Sequence, residues 1–246
     1  MSVSVQNKER IKKIKEIVRV IDGWLSESEG EYLYAIAKSG PGEGAIIEIG
    51  SWKGKATVWL ASGAKDAGRD KVYAIDHYRG SPEHGEKVWT FPEFEKNLRD
   101  AGVDDMVVPL VMNSAEAAKN WDKPVRFLWI DAAHDYESVK RDFLLWEPSL
   151  VEGGIVAFHD TTTWDGPKKV VEEYVCNSRT FTNIGSVGSI VFAQKTRKSS
   201  AWDMLKAKLV LGARDASLKS NLPRGIKVFG RNILIFLGLH PKIERR

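Results

Sequence analysis

Ala45-Ile46-Ile47-Glu48-Ile49-Gly50-Ser51-Trp52-Lys53-Gly54 decides the fold. Five residues of near-continuous apolar character, AIIEI, run into a glycine turn, and Ala56 to Ala64 behind it reads as a helix. An apolar run without polar alternation suits a strand buried on both faces, as in a parallel sheet. Working outward, Lys71–Asp76 (KVYAID), Val107–Met112 (VVPLVM), Phe127–Asp131 (FLWID) and Gly154–His159 (GIVAFH) recur at βαβ spacing. Phe181–Val187 and Ser189–Gln194, separated by Gly188, read as a closing hairpin. The expected core is an α/β, Rossmann-like, doubly wound seven-stranded sheet, mostly parallel with an antiparallel last strand.

Three segments follow from composition. Residues 1–40 are expected to form an N-terminal helical appendage, with Ile11, Ile14, Ile17, Val18 and Ile21 on one face of a helix over Lys8–Trp24. Residues 41–196 form the core, and residues 197–246 a basic, partly amphipathic helical tail. The formal charge of +4 is a cancellation. Residues 21–196 hold 19 Lys/Arg against 28 Asp/Glu, whereas residues 197–246 hold twelve against three. An acidic core argues against a nucleic-acid channel, and no Asn-Pro-Pro-Tyr motif for flipped-base methylation is present. With no long apolar span and no apolar core in Met1–Arg10, a cytoplasmic protein is expected. The lone Cys176 reads as a packing residue.

In open α/β sheets ligands sit beyond the carboxyl ends of the strands, and the polar residues of this sequence collect there. Gly50 and Gly54 are spaced Gly-x-x-x-Gly, which is neither a dinucleotide fingerprint nor a P-loop. Asp76 ends the second strand, where a carboxylate can accept both hydroxyls of a ribose. Asn113-Ser114 either meets an adenine edge or caps the next helix. Asp131-Ala132-Ala133-His134-Asp135-Tyr136 and His159-Asp160 close the series.

Taken in order, Glu48-Ile49-Gly50-Ser51 with Gly54, Asp76, Asp131 to Tyr136 with Val139-Lys140-Arg141-Asp142, and Gly153-Gly154 leading to His159-Asp160 resemble a class I S-adenosylmethionine-dependent methyltransferase. More narrowly, they resemble the small-molecule O-methyltransferase branch that includes catechol O-methyltransferase, macrolide-sugar O-methyltransferases and the related cephalosporin hydroxylases. The resemblance implies that S-adenosyl-L-methionine is bound by Glu48, Gly50, Ser51, Trp52, Gly54, Asp76, His77, Ser114, Asp131 and His134. It also implies a divalent metal, Mg²⁺ or Mn²⁺, on Asp131, His159 and Asp160, although better studied members carry Asp where His159 stands.

Asp131 and His159 are the expected catalytic residues, with His159 either a metal ligand or a general base. The acceptor is expected to be a small molecule or a sugar hydroxyl. Tyr78–Phe94 is read as a lid, with Trp164 on the opposite wall. Two alternatives keep the fold: an iron-dependent hydroxylase, and a non-catalytic or nucleic-acid-directed module. The tail packs on the core or on a twin subunit in a homodimer, or else Gly225–Leu239 makes peripheral membrane contact.

Overall fold

The computed structural model describes residues 3–80 and 88–219. Seven strands form one sheet in the order β3-β2-β1-β4-β5-β7-β6. They are β1 (Ala45–Ile49), β2 (Val72–Asp76), β3 (Val107–Val111), β4 (Val125–Ile130), β5 (Leu150–Phe158), β6 (Phe181–Val187) and β7 (Ile190–Lys195). The first five are parallel, and β7 runs antiparallel to both β5 and β6. Strand order reverses between β1 and β4, so the ligand crevice lies where their carboxyl ends diverge. Every residue of β1 and β4 is buried, as two covered faces require.

One face carries α1 (Val3–Val18), α2 (Glu27–Ser39), α3 (Lys55–Asp66) and α4 (Phe91–Ala101), with Ile14, Leu33, Trp59 and Phe94 in a single apolar cluster. The other carries α5 (Ser114–Lys119), α6 (Tyr136–Trp146), α7 (Asp165–Val170) and α8 (Ala201–Lys219), through Ala117, Phe143, Val170 and Ala207. The chain is a three-layer sandwich with the sheet in the middle.

The seven expected strands are present, with β5 beginning four residues earlier than its apolar run. The N-terminal helix differs from expectation: it ends at Val18, and Trp24 lies in a loop before a separate helix, α2. That break has a local cause. Ser26 accepts from the Glu29 backbone N–H while Glu29 Oε2 accepts from Ser26 N–H at 2.8 Å, a capping box that starts a new helix. The other end of α2 is closed by Arg126, which is 1% exposed and donates to the Ala37 carbonyl at 2.6 Å. Burial pulls the Arg126 guanidinium down to about 10. Cys176 is buried and its thiol is pushed up to about 12 by burial, in keeping with a packing role.

Candidate active site

Backbone geometry sets the site. Gly50 follows β1 with φ +87°, and a methyl group there would overlap the Asp131 carbonyl oxygen, so only glycine lets the ends of β1 and β4 approach. Asp131 N–H continues the ladder to Ile49 O at 2.9 Å, and His159 N–H to Ile130 O at 3.0 Å. Trp52, Tyr78 and Asp160, just past the ends of β1, β2 and β5, hold left-handed backbone without being glycine. Strain of that kind persists where surrounding contacts impose it, and it collects at functional sites.

Beside these strand ends lies a cavity of about 680 Å³, within the size range of small-ligand sites. Its walls include Gly50, Ser51, Trp52, Asp76, His77, Ser114, Asp131, His134, His159 and Asp160. Of the expected cofactor residues, Glu48 and Gly54 are not on the wall but behind it. Glu48 is fully buried and accepts from Ser51 Oγ at 3.0 Å and Thr57 Oγ1 at 2.6 Å, while its Oε1 has no partner. Burial, reinforced by Asp131 and Asp76, pushes its carboxyl up to about 8.

Asp76 does more than wait for a ribose. Its Oδ2 accepts from the Ser51 and Trp52 N–H groups at 2.9 and 2.8 Å, and its Oδ1 from Tyr78 N–H at 2.6 Å. It therefore pins the β1 and β2 turns to each other. For Asn113-Ser114 the capping reading holds, and the pair also faces the cavity. Asn113 caps α5 by accepting from Glu116 N–H at 2.9 Å, Ser114 Oγ accepts from Trp146 Nε1 at 2.9 Å, and both residues line the cavity. Next to them Asp142 is only 4% exposed, lines the same wall, and has an Oδ1 without a hydrogen-bond partner. Burial raises its carboxyl to about 6.

The opposite end is a charge cluster. His159 is 4% exposed, with Nδ1 3.0 Å from Asp131 Oδ1 and 3.4 Å from Asp160 Oδ2. Its Nε2 lies 3.7 Å from Glu29 Oε1. Burial opposes its charge, but the three carboxylates outweigh burial and raise it to about 12. The surrounding carboxylates thus favour the charged form of the buried ring. The expected base and ligand roles of His159 both require the neutral ring, which these carboxylates disfavour. Asp131, His134 and Asp160 instead bring one donor atom each to within 4.8 Å of one another. His134 Nε2 is 3.2 Å from Asp160 Oδ2, and its ring stacks on Trp164 at 4.8 Å and 7°. Asp160 is held below the usual carboxylate range, because hydrogen bonds and charge from His134 and His159 overcome its burial.

Two residues of this end escaped the sequence reading. Glu29 accepts from Ser189 N–H at 2.7 Å and Ser189 Oγ at 2.8 Å, joining α2 to the β6–β7 turn. Burial opposes its charge, yet His159, Ser26 and Ser189 draw its carboxyl down to about 2. Ser189 O in turn accepts from Thr161 N–H at 3.1 Å and Thr161 Oγ1 at 2.6 Å, steadying the loop after Asp160. Trp24, 67% exposed, leans on Trp52 at 6.1 Å and lines the cavity. A Ser-x-x-Glu capping signature at Ser26–Glu29 was present in the sequence, but nothing local tied it to residue 159. Within the segment expected as a lid, only Gly80 among the described residues lines the cavity. Phe91 packs on Tyr78 at 5.0 Å instead, and His84 lies outside the described residues. Trp164 takes the wall position expected of it.

A sheet of this order with its cavity at the β1/β4 switch defines a class I methyltransferase fold. Residues 47–161 match a family model described as a methyltransferase domain. Among solved structures, the O-methyltransferase TomG from Streptomyces achromogenes, involved in tomaymycin synthesis and bound to SAM, superposes with TM-score 0.55 at 20% identity, covering 76% of this chain and 90% of that one. The O-methyltransferase NovP gives TM-score 0.55 at 20% identity, covering 77% and 80%. An O-methyltransferase from Bacillus cereus in complex with SAH gives 0.53 at 18%, covering 76% and 91%. Over residues 47–161 the chain is thus similar to a methyltransferase domain, and its sheet shares the fold of these O-methyltransferases.

Proposed function

We propose that the protein methylates a hydroxyl group of a small-molecule or sugar acceptor, with a divalent metal held by Asp131, His134 and Asp160. The observation that carries the reading is the convergence of these three donor atoms on the cavity beside the Gly50 turn. S-adenosylmethionine, when bound, supplies an electrophilic methyl group on a sulfonium cation. The lining fits it: Asp76, Asp131, Asp142 and Asp160 give the cavity an acidic wall, suited to a ligand with a positive charge and amine donors. Ser114 and the buried carboxylate of Asp142 suit the adenine amine, while Ser51 and Trp52, fixed by Asp76, face the other half.

At the acceptor end, Asp131 Oδ1 is taken by His159, and the remaining oxygen serves a hydroxyl or a metal. A divalent ion there supplies Lewis acidity, lowering the pKa of an alcohol that is otherwise far above neutrality. One imidazole with two carboxylates favours Mn²⁺ over Mg²⁺. It also differs from the two-His, one-carboxylate set of non-haem iron oxygenases, so the donor set does not favour the hydroxylase alternative. Without a metal, Asp131 is the group placed to take the acceptor proton. The Trp24/Trp52 pair and Trp164 flank the opening and suit a sugar or phenol ring.

Calorimetry with S-adenosylhomocysteine, with and without Mn²⁺, tests the cofactor reading, and transfer of labelled methyl to catechols and pyranosides tests the acceptor. Micromolar binding with metal-stimulated transfer is expected. No binding under any condition overturns the proposal.

A further inference from the structure

The basic tail begins as α8, and α8 has two unlike faces. Ala207, Val210, Leu211 and Arg214 are buried, the first and third in the apolar cluster that includes Phe181 of β6. Arg214 also reaches the site loop, donating to Thr161 Oγ1 at 2.7 Å beside Asp160. Trp202, Leu205 and Leu209, at spacings of three and four, lie on the other face and are 56%, 47% and 52% exposed. Three large apolar side chains in one stripe on water is a costly surface for a monomer, and such stripes mark contact sites. Lys206 Nζ sits 5.6 Å from the Trp202 ring, and Lys208 is exposed beside the stripe. Residues 197–246 carry twelve Lys/Arg against three Asp/Glu.

We infer that the outer face of α8 docks on an anionic phospholipid surface. Charge complementarity selects this occupant: an apolar stripe flanked by lysines lies in the headgroup plane, with the rings and leucines inserted and the ammonium groups among phosphates. The sequence that follows is consistent with the same surface. Gly225–Leu239, outside the described residues, is apolar and flanked by Arg224 and Lys242. At about 1.5 Å per residue as a helix it is too short to cross a hydrocarbon core of about 30 Å. Among the described residues no helix is long and apolar enough to span a membrane, so the contact is peripheral. A second copy of the chain would have to bring its own +9 tail against this one, which charge disfavours.

Co-sedimentation of the full chain with vesicles of phosphatidylcholine alone, and of phosphatidylcholine mixed with phosphatidylglycerol, tests the inference. The chain is expected to pellet with the mixed vesicles only. The combined Trp202→Ser, Leu205→Ser and Leu209→Ser variant, altered only at exposed positions, is expected to melt as the parent does and to lose at least about tenfold in partitioning. Lys206→Gln with Lys208→Gln, which leaves the stripe intact, is expected to lose about fivefold per charge. Failure of the full chain to pellet, or equal pelleting of the triple variant, overturns the proposal. So does a dimer in analytical ultracentrifugation that the triple variant dissociates while vesicles stay unbound.

Discussion

The two ends of the cavity are built differently. The end formed by Ile49–Trp52, Asp76, Ser114 and Asp142 draws mostly on strand ends and on helices that immediately follow them. Its key contacts are backbone amides held by one carboxylate, Asp76, and a close approach that only Gly50 permits. The end proposed to take the acceptor is assembled from remote pieces: Trp24 and Glu29 from the N-terminal region, Asp131 and His134 after β4, His159 to Trp164 after β5, and Ser189 from the hairpin. It is held by carboxylates gathered around one buried histidine. A cofactor end made of backbone tolerates little change in shape, whereas an acceptor end made of charges responds to pH and to neutralising substitutions.

The sharpest way to separate the two ends is Asp131→Asn. Turnover is expected to fall about 10³-fold, roughly 4 kcal/mol of barrier, while affinity for S-adenosylhomocysteine in calorimetry stays within about threefold. A parallel collapse of affinity would merge the two ends into one. Gly50→Ala attacks the cofactor end, because left-handed strain and the overlap with the Asp131 carbonyl cost roughly 3 kcal/mol together. Melting is then expected about 10 °C lower, with cofactor binding lost.

Glu29→Gln keeps the shape of the acceptor end but removes a charge. Glu29 has its folded pKa lowered from 4.5 to about 2, so its stabilisation is present above pH 4.5 and lost as pH falls towards 2. The variant should melt about 5 °C lower at pH 7 and converge with the parent near pH 2, as circular dichroism melts would show. Asp142→Ala should weaken S-adenosylhomocysteine about tenfold, or about 1.4 kcal/mol, without changing the pH at which turnover rises.

The smallest effect belongs to Glu48. Its pKa is raised from 4.5 to about 8, so the folded state keeps a proton that the unfolded chain releases, and stability declines as pH rises between those values. Glu48→Gln should flatten that decline by about 2 °C, with the Ser51 and Thr57 hydrogen bonds preserved.

The same contrast explains what was legible in the sequence. Strand ends announce themselves locally: an apolar run, then glycine or an acid, as at Glu48–Gly50, Asp76 and Asp131. The residues lining that end of the cavity could therefore be picked out almost one by one, with Asp142 named but given no role. The acceptor end could not, because Glu29 looks like an ordinary capping-box acid until the hairpin brings Ser189 against it. His159 reads as a ligand because its neighbours in sequence are acids; that three carboxylates converge on it at once is a fact of packing. Helix α8 shows the same limit, since its leucines are evenly patterned and only the fold reveals which of them are left facing water.

The Glu29–Ser189 clasp joins residues 160 positions apart. During synthesis from the amino terminus, the first helices, the glycine turn and every carboxylate of the site are made before the strand pair that locks them. A nascent chain halted before residue 189 has all its candidate chemical groups but lacks the hydrogen bonds Ser189 makes to Glu29. The clasp thus ties the N-terminal Glu29 to the last strand pair of the sheet, which contributes no candidate catalytic group.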